Sequence, residues 1–256
     1  MKTKTSHLDN NAFIKAKNHL NDLNLASEKI KKENSELKLE FIRNVSHEFR
    51  TPLNAIIGCY QLLKDTDLSS GEIKDIVENV TSASIRFAEN GEKLLQVAML
   101  NSGVEIDDKR CFHIDELFTS LEAKHHVAAQ IKGVPLKFVN ICDQKIHQDF
   151  RSLFTILSEL ISNAIKFTTK GSILIAAHQC SNELEFVVED SGVGIPDNIK
   201  KEIYSPFVKD NKNFFSNNHG LGLGLFLVKK LVEKLKANVS CRTTSLGTRF
   251  NIRFYV

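Results

Sequence analysis

No apolar run in this chain of 256 residues approaches the roughly 18 to 20 residues that a membrane-crossing helix requires. The amino terminus, Met1-Lys2-Thr3-Lys4, opens no apolar stretch that could serve as a signal peptide. These absences point to a cytoplasmic chain, or a soluble piece of something larger, with no membrane segment. The five cysteines, Cys59, Cys111, Cys142, Cys180 and Cys241, form no Cys-x-x-Cys pair, and the nine histidines form no His-Glu-x-x-His pattern. A disulfide framework and a zinc site are therefore not expected. The net charge of +3 lacks the clustered basic excess of a nucleic-acid footprint. Lysines of the first forty residues alternate with Asp, Glu and Asn, as on a solvated helix face.

What is present is a globular composition, 42% hydrophobic and 25% charged, enough apolar material for a real core. Two textures divide it. From about Phe13 to Met99 helical periodicity dominates and the only proline is Pro52. From about Cys111 short β-rich runs alternate with helices, which predicts an α+β domain. Leu20, Leu23, Ile30, Leu37 and Phe41 fit a heptad register, with Ser27 and Asn34 at the remaining core positions of a weak coil. A second helix is expected from about Ser70 to Leu100, carrying Ile73, Ile76, Val77, Val80, Phe87, Leu94 and Ala98 on one side. Asn101-Ser102-Gly103 ends it as a glycine stop. The short polar connection around Asp65 to Gly71 predicts an antiparallel hairpin. One hairpin cannot bury its stripe alone, so two copies are expected to form a four-helix bundle in a homodimer.

Farther along, helices are expected at Leu117 to Ile131, Asp149 to Phe167 and Leu223 to Lys236. Strands are expected at Pro135 to Ile141, Ser172 to Ala177, Leu184 to Val188, Asn238 to Arg242 and Thr248 to Tyr255, with a hairpin turn at Ser181-Asn182. Asn211 to Asn218, rich in asparagine and without a period, reads as a mobile loop.

Four groups of residues carry chemistry. In Phe41-Ile-Arg-Asn-Val-Ser-His-Glu-Phe-Arg-Thr-Pro-Leu53, His47 and Thr51 stand four apart and share a helix face, with Glu48 adjacent. Pro52 crowds the carbonyl of Glu48, which predicts a bent or loosened helix beside His47. A neutral imidazole has the free lone pair of a nucleophile, and a neighbouring carboxylate fixes its tautomer; a plain surface histidine beside a helical glutamate fits these residues as well. Glu159, Asn163 and Lys166 form a polar stripe on an otherwise apolar helix. A carboxylate, an amide and an ammonium suit a metal–phosphate site, or an ordinary solvated stripe. Asp190-Ser-Gly192-Val-Gly194 ends a strand, where a carboxylate can accept from an exocyclic amine such as adenine's and glycines allow close approach to a flat ring; a plain turn-forming Asp-Ser-Gly fits these residues as well. His219-Gly220-Leu-Gly222-Leu-Gly224-Leu225 opens a helix, as a phosphate cradle does, although close packing alone also explains such glycines.

In this order the segments resemble the transmitter core of a sensor histidine kinase of two-component signalling. Ser46-His47-Glu48-Phe49-Arg50-Thr51-Pro52-Leu53 is similar to that family's phosphoacceptor box, and Glu159 to Phe167 to its N box. Asp190 to Gly194 resembles the first glycine box, Tyr204-Ser-Pro-Phe207 the F box, Gly220 to Gly224 the second glycine box, and Ser245-Leu-Gly-Thr248-Arg-Phe250 the closing motif. The match covers about residues 37 to 256. It implies a helical lead-in at 1–36, a dimerisation and histidine phosphotransfer domain at 37–103 and a Bergerat-type ATP-binding α/β sandwich at 104–256. It also implies ATP and Mg²⁺ as ligands and the receiver domain of a response regulator as partner. By position, His47 is the phosphoacceptor, Glu48 the base, and Thr51 the residue that positions water for dephosphorylating the partner. Asn163 binds the metal with Glu159 nearby, Lys166 contacts phosphate and Phe167 borders the nucleotide. Asp190 reads adenine beside Gly192, Gly194 and Thr248, while Gly220, Gly222 and Gly224 hinge a lid over 206–218.

The chain departs from the pattern at Ser245 (usually glycine), Thr155 (commonly glutamine), Ser152 (commonly arginine) and Tyr204 (usually phenylalanine). Two other classes share parts of it. A chaperone-type or mismatch-repair ATPase shares the nucleotide motifs but has no need of Ser46 to Pro52. A phosphotransfer relay shares His47 but not the glycine boxes.

Overall fold

The computed structural model describes residues 39, 41–64, 68–103, 107–142, 144–180, 183–208 and 221–255. The heptad Leu20 to Leu37, the connection at 65–67, the turn Ser181-Asn182, the loop Asn211 to Asn218 and Gly220 lie outside the described residues. The chain forms two compact units, 1–51 and 52–256.

In the first unit the described backbone is helical over 41–51, the opening of a helix α1 that runs over 41–64. Helical backbone persists through Pro52; a proline costs a helix one amide donor and crowds one carbonyl, which here does not end the element.

In the second unit α2, Ser70–Ser102, starts with a capping box: the Glu72 amide donates to the Ser69 hydroxyl while the Ser69 amide donates to the Glu72 carboxylate. Gly103 ends it at φ 71°, the left-handed stop expected from the sequence. Ile76, Ala83, Asn90 and Val97 are its buried residues, a strict seven-residue interval. Ile73, Val77, Phe87 and Leu95 remain exposed and fall within about 80° of arc beside that seam by the 3.6-residue period.

The remaining elements are β1 (Lys109–Phe112), α3 (Ile114–Lys132), β2 (Leu136–Asn140), β3 (Ile146–Asp149), α4 (Phe150–Phe167), β4 (Ile173–Cys180), β5 (Glu183–Asp190), α5 (Gly224–Lys234), β6 (Asn238–Thr244) and β7 (Gly247–Tyr255). Five strands form a mixed sheet in the order β2-β4-β5-β7-β6, parallel only at β2–β4. The expected β4–β5 hairpin pairs from Ile173–Asp190 to Cys180–Glu183. A second sheet, β1 with β3, pairs Lys109 with Asp149 through Phe112 with Ile146; sequence reasoning did not find it. Its strands span four residues each, too short for alternation to declare itself.

Helix α4 is the central support. Leu153, Ile156, Leu157, Leu160, Ile161 and Ala164 are buried along one side, and burying each leucine or isoleucine side chain stabilises by about 1.5–3 kcal/mol. Aromatic contacts join the layers: Phe118 of α3 lies 5.3 Å from Phe138 of β2 and 6.3 Å from Phe186 of β5, which lies 5.9 Å from Phe254 of β7. Asp149 caps α4, accepting from the Ser152 amide at 2.9 Å and the Ser152 hydroxyl at 2.7 Å. Ser152, where the family commonly has arginine, thus stands as part of a cap. Asp149 is fully buried and meets Lys234 of α5 at 2.8 Å. Burial pushes its carboxyl up, but Lys234 and the Ser152 bonds outweigh this and hold it below the usual carboxylate range. At the other end Lys132 donates to the carbonyls of Ile165 and Lys166, which satisfies acceptors that a helix leaves open.

Candidate nucleotide site

The polar end of α4 collects three glycine-bearing segments, and at Gly192 and Gly194 other backbone comes too close to admit a side chain. Gly192 follows β5; a Cβ there would lie 2.6 Å from the Phe167 carbonyl oxygen at the end of α4. Gly194 has φ 73°, and its Cβ would fall 1.9 Å from the Thr244 carbonyl oxygen, a position open only to glycine. The chain after β5 is thereby pressed between the end of α4 and the β6–β7 turn. The amide of Ile195 donates to the Thr243 hydroxyl at 2.8 Å, adding a tie to β6.

Asp190 is the residue this packing immobilises. Its Oδ1 accepts from the Gly192 amide at 2.8 Å and from the Thr248 amide at 3.2 Å, and Asp190 pairs with Thr248 across β5 and β7. Both bonds fall on one oxygen, so Oδ2 keeps its capacity to accept. Burial pushes the carboxyl above its ordinary value, against the pull of the two amides. The first glycine box and the closing motif therefore act on one carboxylate. Ser245 replaces a glycine without cost, because it is exposed in the turn and Gly247, at φ 141°, takes the unusual backbone.

The second glycine box meets the N box. A Cβ on Gly224, the first residue of α5, would lie 2.5 Å from Glu159 Oε2 and 3.9 Å from Asn163 Nδ2. Gly222, at φ 67°, packs on the backbone of Phe207, whose amide donates to the Gly222 carbonyl at 3.0 Å. Phe207 itself adopts φ 65°. The F box and the second glycine box are thus tied together on either side of 209–220. Tyr204, at the family's phenylalanine position, has its hydroxyl buried with no partner; burial, and then Cys241, push that phenol above its usual range.

Phe167, whose carbonyl meets Gly192, is 39% exposed, and the Lys166 ammonium sits 5.2 Å from its ring centroid. Lys93 of α2 was not anticipated: its ammonium lies 2.8 Å from Glu159 Oε2. The two residues are 66 apart in sequence, and no local pattern marks Lys93.

The first unit holds His47, Glu48 and Thr51. His47 is exposed, and the Thr51 hydroxyl donates to the His47 carbonyl at 3.1 Å, the i−4 bond that a helical threonine makes. Among the described residues no helix is long and apolar enough to cross a membrane, and no group of three or more His, Cys, Asp or Glu could hold a metal ion. A magnesium site built on an amide and nucleotide phosphate is a different donor set.

Family models match twice: "His Kinase A (phospho-acceptor) domain" over residues 37–103, and "Histidine kinase-, DNA gyrase B-, and HSP90-like ATPase" over 148–256. The chain is 31% identical over 219 residues to "Autoinducer 2 sensor kinase/phosphatase LuxQ" of Vibrio vulnificus, 82% of this chain and 25% of that protein. It therefore spans about a quarter of that relative's length. Among solved structures, full-length ShkA in complex with AMPPNP superposes with a TM-score of 0.62 at 25% identity, over 81% of this chain and 44% of that one. Histidine kinase ThkA in complex with response regulator protein TrrA superposes with a TM-score of 0.65 at 20% identity, over 84% of this chain and 61% of that one, a likeness of fold. A phosphoacceptor helix followed by an ATPase sandwich with both glycine boxes on its N box places this chain among the two-component histidine kinases, as their transmitter core.

Proposed function

We propose that the chain is an ATP-dependent protein histidine kinase that phosphorylates His47 and passes the phosphoryl group to an aspartate of a response regulator. The observation that carries this is the convergence of N box, both glycine boxes and closing motif around Asp190 and Asn163, in a chain that also exposes a histidine beside a glutamate. Asp190 accepts from the adenine amino group through Oδ2, next to the backbone of Gly192 and Gly194. Phe167 borders the ring, Lys166 faces phosphate, and Gly220, Gly222 and Gly224 hinge the segment over the phosphates. Asn163, with Glu159 nearby, would hold Mg²⁺, which when bound neutralises phosphate charge.

A lone pair of the His47 ring attacks the γ-phosphorus in line. The bond to the β-phosphate oxygen breaks and ADP departs, while Glu48 hydrogen-bonds the other ring nitrogen and takes up its proton. Catalysis of this kind is mostly positioning and charge stabilisation. The N–P bond is labile, so an aspartate carboxylate of the partner can take the group. Domain limits of 1–36, 37–103 and 104–256, and a homodimer joined through a four-helix bundle, complete the reading; the phosphoacceptor family match and the exposed apolar side of α2 support the dimer. Labelling from γ-labelled ATP is expected to vanish in His47→Gln and in Asn163→Ala; persistence of label in either would contradict the assignment. The likeness to the Vibrio sensor kinase/phosphatase supports a second activity, in which Thr51 positions water against the phosphorylated partner. Thr51→Ala is expected to slow partner dephosphorylation more than autophosphorylation, and equal loss of both would remove the separate role.

A further inference from the structure

Lys93 belongs to none of the motifs, yet it reaches the centre of the site. The Lys93–Glu159 pair spans 2.8 Å, with side chains 28% and 13% exposed. The same carboxylate oxygen packs on Gly224 at the start of α5. Glu159 is thus held from one side by an ammonium of α2 and packs from another against Gly224.

We propose that the Lys93–Glu159 pair is an electrostatic latch, holding the nucleotide site against α2 until a magnesium-bound nucleotide competes for Glu159. The latch rests on the ATP-binding reading above. Glu159 and Asn163 stand one helical turn apart and share a face of α4, and Gly224 lies against both. Cationic charge brought to Asn163 attracts the Glu159 carboxylate and repels an ammonium held at hydrogen-bond distance from it. Magnesium and the ammonium then compete for one carboxylate. Apparent affinity falls by the fraction of molecules already open, so cutting the latch tightens nucleotide binding.

The test is calorimetric titration of the full chain with a magnesium-bound non-hydrolysable ATP analogue at low and high salt. Lys93→Met is expected to lower Kd about three- to tenfold, and Lys93→Gln to do the same. Lys93→Arg, which keeps the charge, is expected to bind as the parent does. The gain should shrink at about 0.5 M salt, where the Debye length is a few Å, and Lys93→Met should add nothing in a Glu159→Gln background. An unchanged Kd in both neutral variants overturns the latch and leaves the ATP reading standing. Weaker binding overturns it too, and makes Lys93 a phosphate ligand instead. Failure of the parent chain to bind the analogue sinks both readings together.

Discussion

Asp190 separates two roles that sequence alone cannot distinguish, a turn-former and a reader of adenine. Its Oδ1 takes the amides of Gly192 and Thr248, which is the structural role. An asparagine carbonyl can accept the same two amides, so Asp190→Asn keeps that function. It replaces Oδ2 by an amide donor, which faces a donor if adenine binds. The expected outcome is a stability change of under about 1 kcal/mol by thermal unfolding, with nucleotide affinity falling at least about 100-fold by titration. Equal losses of stability and affinity would assign Asp190 to the turn alone. The residues that carry this chemistry were legible from the chain, because a carboxylate just ahead of two glycines at a strand end has few uses. The Thr248 amide that helps to hold it was not, since Thr248 is 58 residues away.

At the scale of elements, the join between α3 and α4 carries a pH dependence. His125 is buried, with Nε2 2.9 Å from the Ser158 hydroxyl. Burial, and then the neighbouring Lys124, push its imidazole down from 6.5 to about 4. The unfolded chain therefore binds a proton that the folded chain refuses between pH 6.5 and 4. Stability from this group is complete above the unfolded value and is lost as pH falls through that window. Between pH 7 and pH 5 the loss is about 2 kcal/mol, measurable by urea unfolding at each pH. His125→Gln should flatten that slope; an unchanged slope would place its origin elsewhere. The helices themselves follow local rules. Ser69 with Glu72 starts α2, Gly103 stops it, and the apolar period of α4 selects its buried side. The boundaries of α3 escaped by three residues at its start, because Ile114 is buried but follows His113, which makes no side-chain cap.

For the whole molecule, the exposed Ile73, Val77, Phe87 and Leu95 of α2 are the surface on which a second copy is expected to close. Val77→Glu combined with Leu95→Glu should shift sedimentation from dimer to monomer at micromolar concentration, since each unpaired charge buried at an interface costs several kcal/mol, and should leave nucleotide binding within about threefold. A dimer that survives both charges would move the interface to another surface. What the sequence determined by itself is the chemistry and its order: the histidine with its glutamate, the amide and lysine of the N box, the glycines, and the helices whose periods and caps are local. These are legible because side-chain spacing along a helix or strand is fixed by backbone geometry over a few residues. Only the tertiary structure decided the strand order β2-β4-β5-β7-β6, the ribbon of β1 with β3, and the meeting of Lys93 with Glu159. Each joins segments distant in the chain, and the energy that selects such pairings lies in mutual burial and charge, which no local period records.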